Sequence, residues 1–254
     1  MAERIESINN KNIKLLNALK SSKGRRKNQK IIIEGLRLVN DAIQNGADII
    51  SVFCNEQFVK KEQFQLFNNI NTYVLADNVF KKISDTVNSQ GILAIAKKPN
   101  CQLNANNKRI LVLNNVQDPG NLGTLIRTAD AFKINQIIVT KGSCDVYNQK
   151  TLRSTMASVF NIPIVDSVNT PEVISFLKNN NIKIVTSSLS ANSVSLSSIK
   201  VEDNYALVLG NEGNGVEKSF NESSDIVIKI PMYGKAESLN VAIAGGIIMY
   251  HFSC

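Results

Sequence analysis

The stretch Ile230–Tyr250, IPMYGKAESLNVAIAGGIIMY, decides how this chain is read. The apolar run leading into it, Asp225–Ile230, has the length and composition of a buried strand. Pro231 stops that strand because it has no N–H to give to a ladder. A loop holding Gly234 follows, and Ser238-Leu239-Asn240 opens a helix of small residues, Val241, Ala242, Ile243, Ala244, Gly245, Gly246 and Ile247. Two glycines inside a helix cost roughly 1 kcal/mol each. The return for that cost is the close approach of another backbone or a ligand. Ser238 and Asn240 are good helix caps on residue type alone, and the decision between cap and site rests on the rest of the chain.

Upstream of this stretch, strands and helices alternate. Arg109–Val116 reads as a buried strand, Asp118-Pro119-Gly120-Asn121 as a turn, and Leu122–Phe132 as a helix. Further strands fall at Gln136–Thr140, Ile162–Val165, Lys183–Ser187 and Tyr205–Leu209, with helices at Gln149–Val159 and Pro171–Asn179. Six strands with helices between them predict an α/β domain with a mainly parallel sheet. Ligands of such sheets sit beyond the carboxyl ends of the strands. Three unusual loops lie there: Asn115–Asn121, Gly210–Gly215 and Pro231–Asn240. The second, GNEGNG, fits neither a P-loop nor a dinucleotide fingerprint, but it puts the carboxylate of Glu212 among glycines at a strand end. The Ser-rich loop Ser187–Ser198 reads as mobile or partner-bound.

The N-terminal third alternates in the same way on a smaller scale. Strands are expected at Lys30–Glu34, Ile49–Cys54, Thr72–Leu75 and Ile92–Ala96, with helices at Leu36–Asn45, Val59–Asn68 and Asn78–Thr86. The polar stretch around Pro99, rich in asparagine, is expected to be a linker. The resulting division is an N-terminal domain 1–97 (a basic segment 11–30, then an α/β unit 31–97), a linker 98–107 and a C-terminal domain 108–254. Of the net charge of +8, almost all lies in residues 1–30, where nine Lys and Arg face only Glu3 and Glu6. The charge peaks in Lys23-Gly24-Arg25-Arg26-Lys27-Asn28-Gln29-Lys30, a pattern that suits a phosphate backbone or a solvated tail equally.

Other classes are set aside by composition. No run of about 18 apolar residues is present to span a membrane, and Met1–Lys20 lacks the apolar core of a secretory signal. Cys54, Cys101, Cys144 and Cys254 are scattered and read as free thiols of a reducing cytoplasm. With His251 as the single histidine, neither a Ser/His/Asp triad nor a histidine-rich metal site is expected.

Three segments in order, NNVQDPGNLGTLIRTADAF (114–132), LVLGNEGNGV (207–216) and IPMYGKAESLNVAIAGG (230–246), resemble the SpoU/TrmH family of RNA ribose 2′-O-methyltransferases within the SPOUT superfamily. The segment KGRRKNQKIIIEGLRLVNDAI (23–43) is similar to the substrate-binding domain, of L30e/L7Ae-like fold, that the family often carries. The resemblance implies a C-terminal, mostly parallel sheet tied in a trefoil knot, with S-adenosyl-L-methionine held by main-chain groups of Gly210, Ile230 and Leu239. It places Asn121, Arg127, Glu212, Ser238 and Asn240 on the family's active-site positions. It makes Lys23, Arg25, Arg26, Lys27 and Lys30 contacts to structured RNA, ribosomal RNA first and transfer RNA second. It also implies a cytoplasmic homodimer paired through the knotted domain, and no metal. Two roles for Arg127 stay open: the group that handles the 2′-hydroxyl proton, or a clamp on the neighbouring phosphate with Glu212 or water nearer the proton. Arginine in water is a very weak acid, so the first role rests on the resemblance alone.

Overall fold

In a computed structural model, residues 3–190, 192–200 and 203–254 are described. The chain divides into two compact units, Met1–Pro99 with Tyr147–Phe160, and Asn100–Val146 with Asn161–Cys254.

The first unit begins with β1 (Glu3–Ile5), a strand that the apolar pattern is too short to announce, and α1 (Lys11–Leu19), whose Ile13, Leu16 and Leu19 are buried at helical spacing. The basic run is folded as a helix, α2 (Ser22–Asn28), capped by the Ser21 side chain, which accepts from the Gly24 N–H at 3.0 Å. Then follow β2 (Lys30–Glu34), α3 (Leu36–Gln44), β3 (Ile49–Asn55), α4 (Glu56–Val59), β4 (Thr72–Leu75), α5 (Asp77–Ile83) and β5 (Ile92–Lys97). The expected long helix over Val59–Asn68 is instead a 3₁₀ turn, Glu62–Phe67, after the short α4. The sheet order is β1-β4-β3-β5-β2, with β5 antiparallel to both β2 and β3. One face of that sheet meets α1 and α5 over Ile32, Phe53, Leu75, Val79 and Phe80.

The second unit opens with β6 (Arg109–Leu113), α6 (Pro119–Ala131) and β7 (Gln136–Thr140). Residues 102–104, inside the stretch read as linker, are held by the buried Gln136, whose side chain donates to the Gln102 carbonyl at 2.8 Å and accepts from the Asn104 N–H at 3.2 Å. The chain then visits the first unit in α7 (Gln149–Thr155), where Gln149 donates to the Ile32 carbonyl at 2.8 Å. It returns for β8 (Ile164–Val168), α8 (Thr170–Asn179), β9 (Lys183–Ser187), β10 (Val194–Ser195), β11 (Tyr205–Leu209), α9 (Lys218–Ser223), β12 (Ile226–Lys229) and α10 (Val241–His251). All seven strands are parallel, in the order β10-β12-β9-β11-β6-β7-β8. The two-residue β10 lies inside the Ser-rich loop and adds an edge that residue patterns do not reveal. The core joins Ile110, Val112, Ile138, Val208 and Phe220 with α8 residues Val173 and Leu177. Because β6, β11 and β12 run the same way, the loops after them emerge at one end of the sheet.

Candidate active site

The first of those loops forms because β6 ends early. Asn115 takes a left-handed conformation at φ 57°, which asparagine tolerates better than most residues. The turn expected at Asp118-Pro119-Gly120-Asn121 is instead the first turn of α6. Asp118 is its cap, accepting from the Asn121 N–H at 2.8 Å, and Pro119 occupies the first helical position, where a missing N–H costs nothing. This puts the Asn121 side chain at the head of the helix.

The second loop is a tight clasp. Asn211 and Gly215 exchange main-chain hydrogen bonds at 2.8 and 3.0 Å, leaving Glu212, Gly213 and Asn214 at the tip. A Cβ on Gly210 would lie 2.3 Å from the Gly215 carbonyl carbon and the Val216 nitrogen, so only glycine fits there. The Asn211 side chain accepts from the N–H groups of Gly213 and Asn214, both at 2.9 Å, and donates to the Asn115 carbonyl at 2.9 Å. It thereby joins the second loop to the first.

Glu212 reaches the head of α6. Its carboxylate accepts from Asn121 Nδ2 at 3.0 Å and from the N–H groups of Asp118 and Gln117 at 3.2 and 3.3 Å. Partial burial pushes this carboxyl group up. The hydrogen bonds from Asn121 and from the backbone at Glu212, Asp118 and Gln117 outweigh it and hold the group below the ordinary glutamate value. The third loop closes the set: Asn240 Nδ2 donates to Asn121 Oδ1 at 2.9 Å, while Asn240 Oδ1 caps α10 through the N–H groups of Ala242 and Ile243. Asn240 is thus both the helix cap that residue type suggests and a member of the cluster.

A cleft of about 380 Å³ lies beside this cluster and is lined by Gly210, Glu212, Ile230, Ser238 and Leu239 among others. Gly210, Ile230 and Leu239 therefore share one cavity, with the apolar side chains of Ile228, Met232 and Val241 completing its walls. Ser238 lines the cleft but is exposed and outside the hydrogen-bonded cluster. Arg127, two turns along α6 from Asn121, is exposed and makes no hydrogen bond or ion pair with the described residues.

In the first unit the structure separates the five basic residues. Lys23, Arg26 and Lys27 are exposed on α2 and Lys30 is half-buried at the start of β2. Arg25 is only 5% exposed, and its Nη1 donates to the carbonyls of Leu19 and Lys20, both at 2.8 Å. It satisfies the carboxyl end of α1 and is not placed at the surface, which corrects its reading as an RNA contact.

Residues that the sequence reading passed over complete the site from below. Glu217 Oε1 accepts from Asn114 at 3.0 Å and from Asn115 at 2.5 Å, and the Glu217 N–H donates to Asn114 Oδ1 at 2.9 Å. Asn211 was discoverable, since an asparagine in a glycine loop commonly bonds its own backbone two residues on. Glu217 was not, because its partners lie more than a hundred residues away in the chain.

The SpoU rRNA Methylase family model matches residues 108–250, over half the chain and all three loops of the site. The chain belongs to the SpoU rRNA methylase family. The first unit of this methylase matches an MRM3-like substrate binding domain over residues 10–94. The methylase is 35% identical over 249 residues to the 23S rRNA (guanosine(2553)-2′-O)-methyltransferase RlmP of Bacillus subtilis (strain 168), with 98% of each chain covered. Among solved structures it resembles an AdoMet-bound rRNA methyltransferase from Sinorhizobium meliloti, at 29% identity and a TM-score of 0.87, covering 99% of this chain and 97% of the other. It also resembles an RNA 2′-O ribose methyltransferase at 28% identity and a TM-score of 0.81, covering 98% and 97%.

Proposed function

We propose that the methylase transfers a methyl group from S-adenosyl-L-methionine to a ribose 2′-hydroxyl of large-subunit ribosomal RNA. The observation that carries this reading is the contact of Asn121, Glu212 and Asn240, drawn from three separate loops, beside the cleft that Gly210, Ile230 and Leu239 line. The likeness to ribosomal RNA methyltransferases over nearly the whole chain supports it.

The cofactor supplies a methyl group on a sulfonium sulfur, open to in-line displacement. The cleft suits it in size, being within the roughly 300–1,000 Å³ of small-molecule sites, and in chemistry. Ile230, Met232 and Leu239 offer apolar walls to a flat ring, and the main chain at Gly210, freed of a side chain, offers polar groups at close range.

The chain's own residues then have distinct tasks. Asn121 and Asn240 hold each other in one orientation beside the cleft, and their amides are assigned to the ribose. Ser238 offers a hydroxyl on the cleft wall. Glu212 spends its oxygens on N–H donors and binds a proton less readily than an ordinary glutamate, so it serves as the strut that keeps loop and helix together. Arg127 is exposed and makes no hydrogen bond or ion pair among the described residues, and the direct role in proton removal is assigned to it on the family resemblance. Lys23, Arg26, Lys27 and Lys30 contact RNA phosphates from the first unit.

The active form is a homodimer. Along α10 the side chains of Ile243, Ile247 and Tyr250 are 57%, 40% and 62% exposed and form one stripe, while Met249 and Phe252 are buried within the unit. We also infer the trefoil knot of the family from the family match; Gly245 lets α10 pack closely, since a Cβ there would lie 2.4 Å from a Leu125 methyl group and 2.6 Å from one of Leu209. No helix among the described residues is long and apolar enough to cross a membrane, and the cytoplasm is where a ribosomal RNA substrate places the enzyme.

The test is methylation of 23S rRNA from a strain lacking the gene, followed by nuclease digestion and mass spectrometry of the nucleosides. A 2′-O-methyl nucleoside is expected, and the guanosine that names the Bacillus relative is the first position to inspect. A methyl group on a base, or none with calorimetry showing no cofactor binding, would overturn the proposal.

A further inference from the structure

Two lysines face each other across a strand pair of the first unit. β2 and β5 run antiparallel, and their register sets Lys30 directly opposite Lys97. Side chains directly opposite in such a pair share one face of the sheet. By alternation it is the face of Ile32 and Ile95, which α1 and α5 cover further along the strands. Lys97 is exposed and Lys30 half-buried. Like charges placed this way destabilise a sheet, so a neutralising partner is expected.

Among the described residues neither ammonium group has an ion-pair or hydrogen-bond partner. The helices ahead of β2 supply no acid, since residues 7–33 hold eight Lys and Arg and no Asp or Glu. Asp48, just ahead of β3, offers only its main-chain carbonyl, which accepts from the Lys97 N–H at 2.9 Å. The next residue, Lys98, is engaged elsewhere, with its ammonium group 4.9 Å from the centre of the Tyr147 ring. The two strand ends are also fixed to the basic helix. Gln29, left-handed at φ 52°, turns α2 straight into β2, and its carbonyl accepts from the Lys98 N–H at 2.9 Å. The exposed Lys27 on α2 is thereby held one sharp turn from Lys30.

We propose that Lys97 and Lys30 together seat a phosphate of the RNA backbone, which carries the RNA path from Lys23 and Lys27 on α2 across the end of β5. An RNA phosphate is a compact anion that lysine binds as a point charge. Held between the two ammonium groups, it removes the repulsion that the free protein carries. Lys97 lies outside residues 10–94, the span of the substrate-binding family match, and only the strand register brings it to Lys30. The proposal rests on the reading of the chain as an RNA methyltransferase and adds to it a further point at which the RNA backbone is gripped.

The experiment uses the full chain with Lys97→Gln, Lys97→Glu and, as a control, Lys60→Gln, whose exposed lysine follows the other end of β3. Without RNA, Lys97→Gln is expected to raise Tm by about 1–2 °C in low salt, because the repulsion is gone. Lys97→Glu should raise it further by setting opposite charges across the ladder. Both gains fade in about 1 M salt, where charges are screened within a few ångströms. Filter binding of an unmethylated 23S rRNA transcript across a salt series reads the other half. Lys97→Gln should flatten the slope of log K against log salt by about 0.7–0.9, the share of one phosphate contact, and Lys60→Gln should leave it unchanged. A wild-type slope for Lys97→Gln overturns the seat, as does an equal flattening by Lys60→Gln. A Tm that falls in low salt makes Lys97 a structural residue and overturns it too. None of these results touches the methyltransferase reading, which stands or falls on ribose methylation of the same RNA by the wild type.

Discussion

Glu212 is surrounded by donors, namely the Asn121 amide and the N–H groups of Gln117 and Asp118. A carboxylate in that setting is stabilised as the anion. Its folded-state pKa lies below the ordinary value, so the stability it contributes is fully present above the usual glutamate range near about 4.3. That stability is lost as pH falls through the lower folded value. Melting curves of wild type and Glu212→Gln from pH 7 downward should therefore show the wild type's advantage shrinking only at acid pH. A constant difference across the range would mean the carboxylate is not the strut. Arg127 tests the chemistry itself. Arg127→Lys keeps the charge and loses the planar fork. In single-turnover methylation at saturating RNA and cofactor we expect a fall of about 10²-fold or more, the scale of losing general base catalysis, with cofactor binding intact. A lysine variant with near wild-type maximal rate and only a raised KM for RNA would make Arg127 a phosphate clamp.

At the scale of elements, the basic run shows how one composition hides two jobs. α2 starts directly over the end of α1, and a Cβ on Gly24 would lie 1.8 Å from the Ala18 carbonyl oxygen. Gly24 lets the two helices meet, Arg25 ties them by donating to Leu19 and Lys20, and Lys23, Arg26 and Lys27 remain on the outside. Arg25→Ala is expected to lower Tm, since it strands two carbonyls at a helix end, and to leave the salt dependence of RNA binding as it was. The triple change of Lys23, Arg26 and Lys27 to alanine should do the reverse. Removing three phosphate contacts flattens the slope of log K against log salt by up to about 2–3, which filter binding across a salt series measures. If the triple variant keeps the wild-type slope, RNA lies elsewhere.

For the whole molecule the exposed stripe of α10 is the telling feature. A helix apolar on all sides belongs in an interior. In the second unit one side of α10 packs against α6, with Phe132 and Tyr250 in edge contact at 6.0 Å between ring centres. Ile243 and Ile247 remain in the open. A second copy covers them in the proposed dimer, so Ile243→Glu with Ile247→Glu should convert a dimer in sedimentation into a 27.9 kDa species. Wild-type sedimentation as that single species at micromolar concentration would remove the dimer from the account.

Much of this was legible from residues alone. β2, β4, β7, β9 and β11 have the bounds that apolar runs and their turn residues predict; β2, β7 and β11 are buried along nearly their whole length, and such a strand is written as a continuous apolar run. The three loops announced themselves through glycine, proline and asparagine at strand ends. The Asn121–Glu212–Asn240 contact was out of reach, since its members lie 91 and 119 positions apart and only the parallel alignment of β6, β11 and β12 brings their ends together. The role of Arg25 was equally hidden: charge is a property of the residue, while burial depends on which helix end its guanidinium meets. The same holds for Glu217, an unremarkable glutamate after a glycine loop until the fold sets it beneath Asn114 and Asn115. Residue type and spacing determined which elements form and which side chains carry chemistry. Tertiary structure alone decided which of those side chains face one another, because hydrogen bonds act over about 3 Å and sequence distance says nothing of that separation.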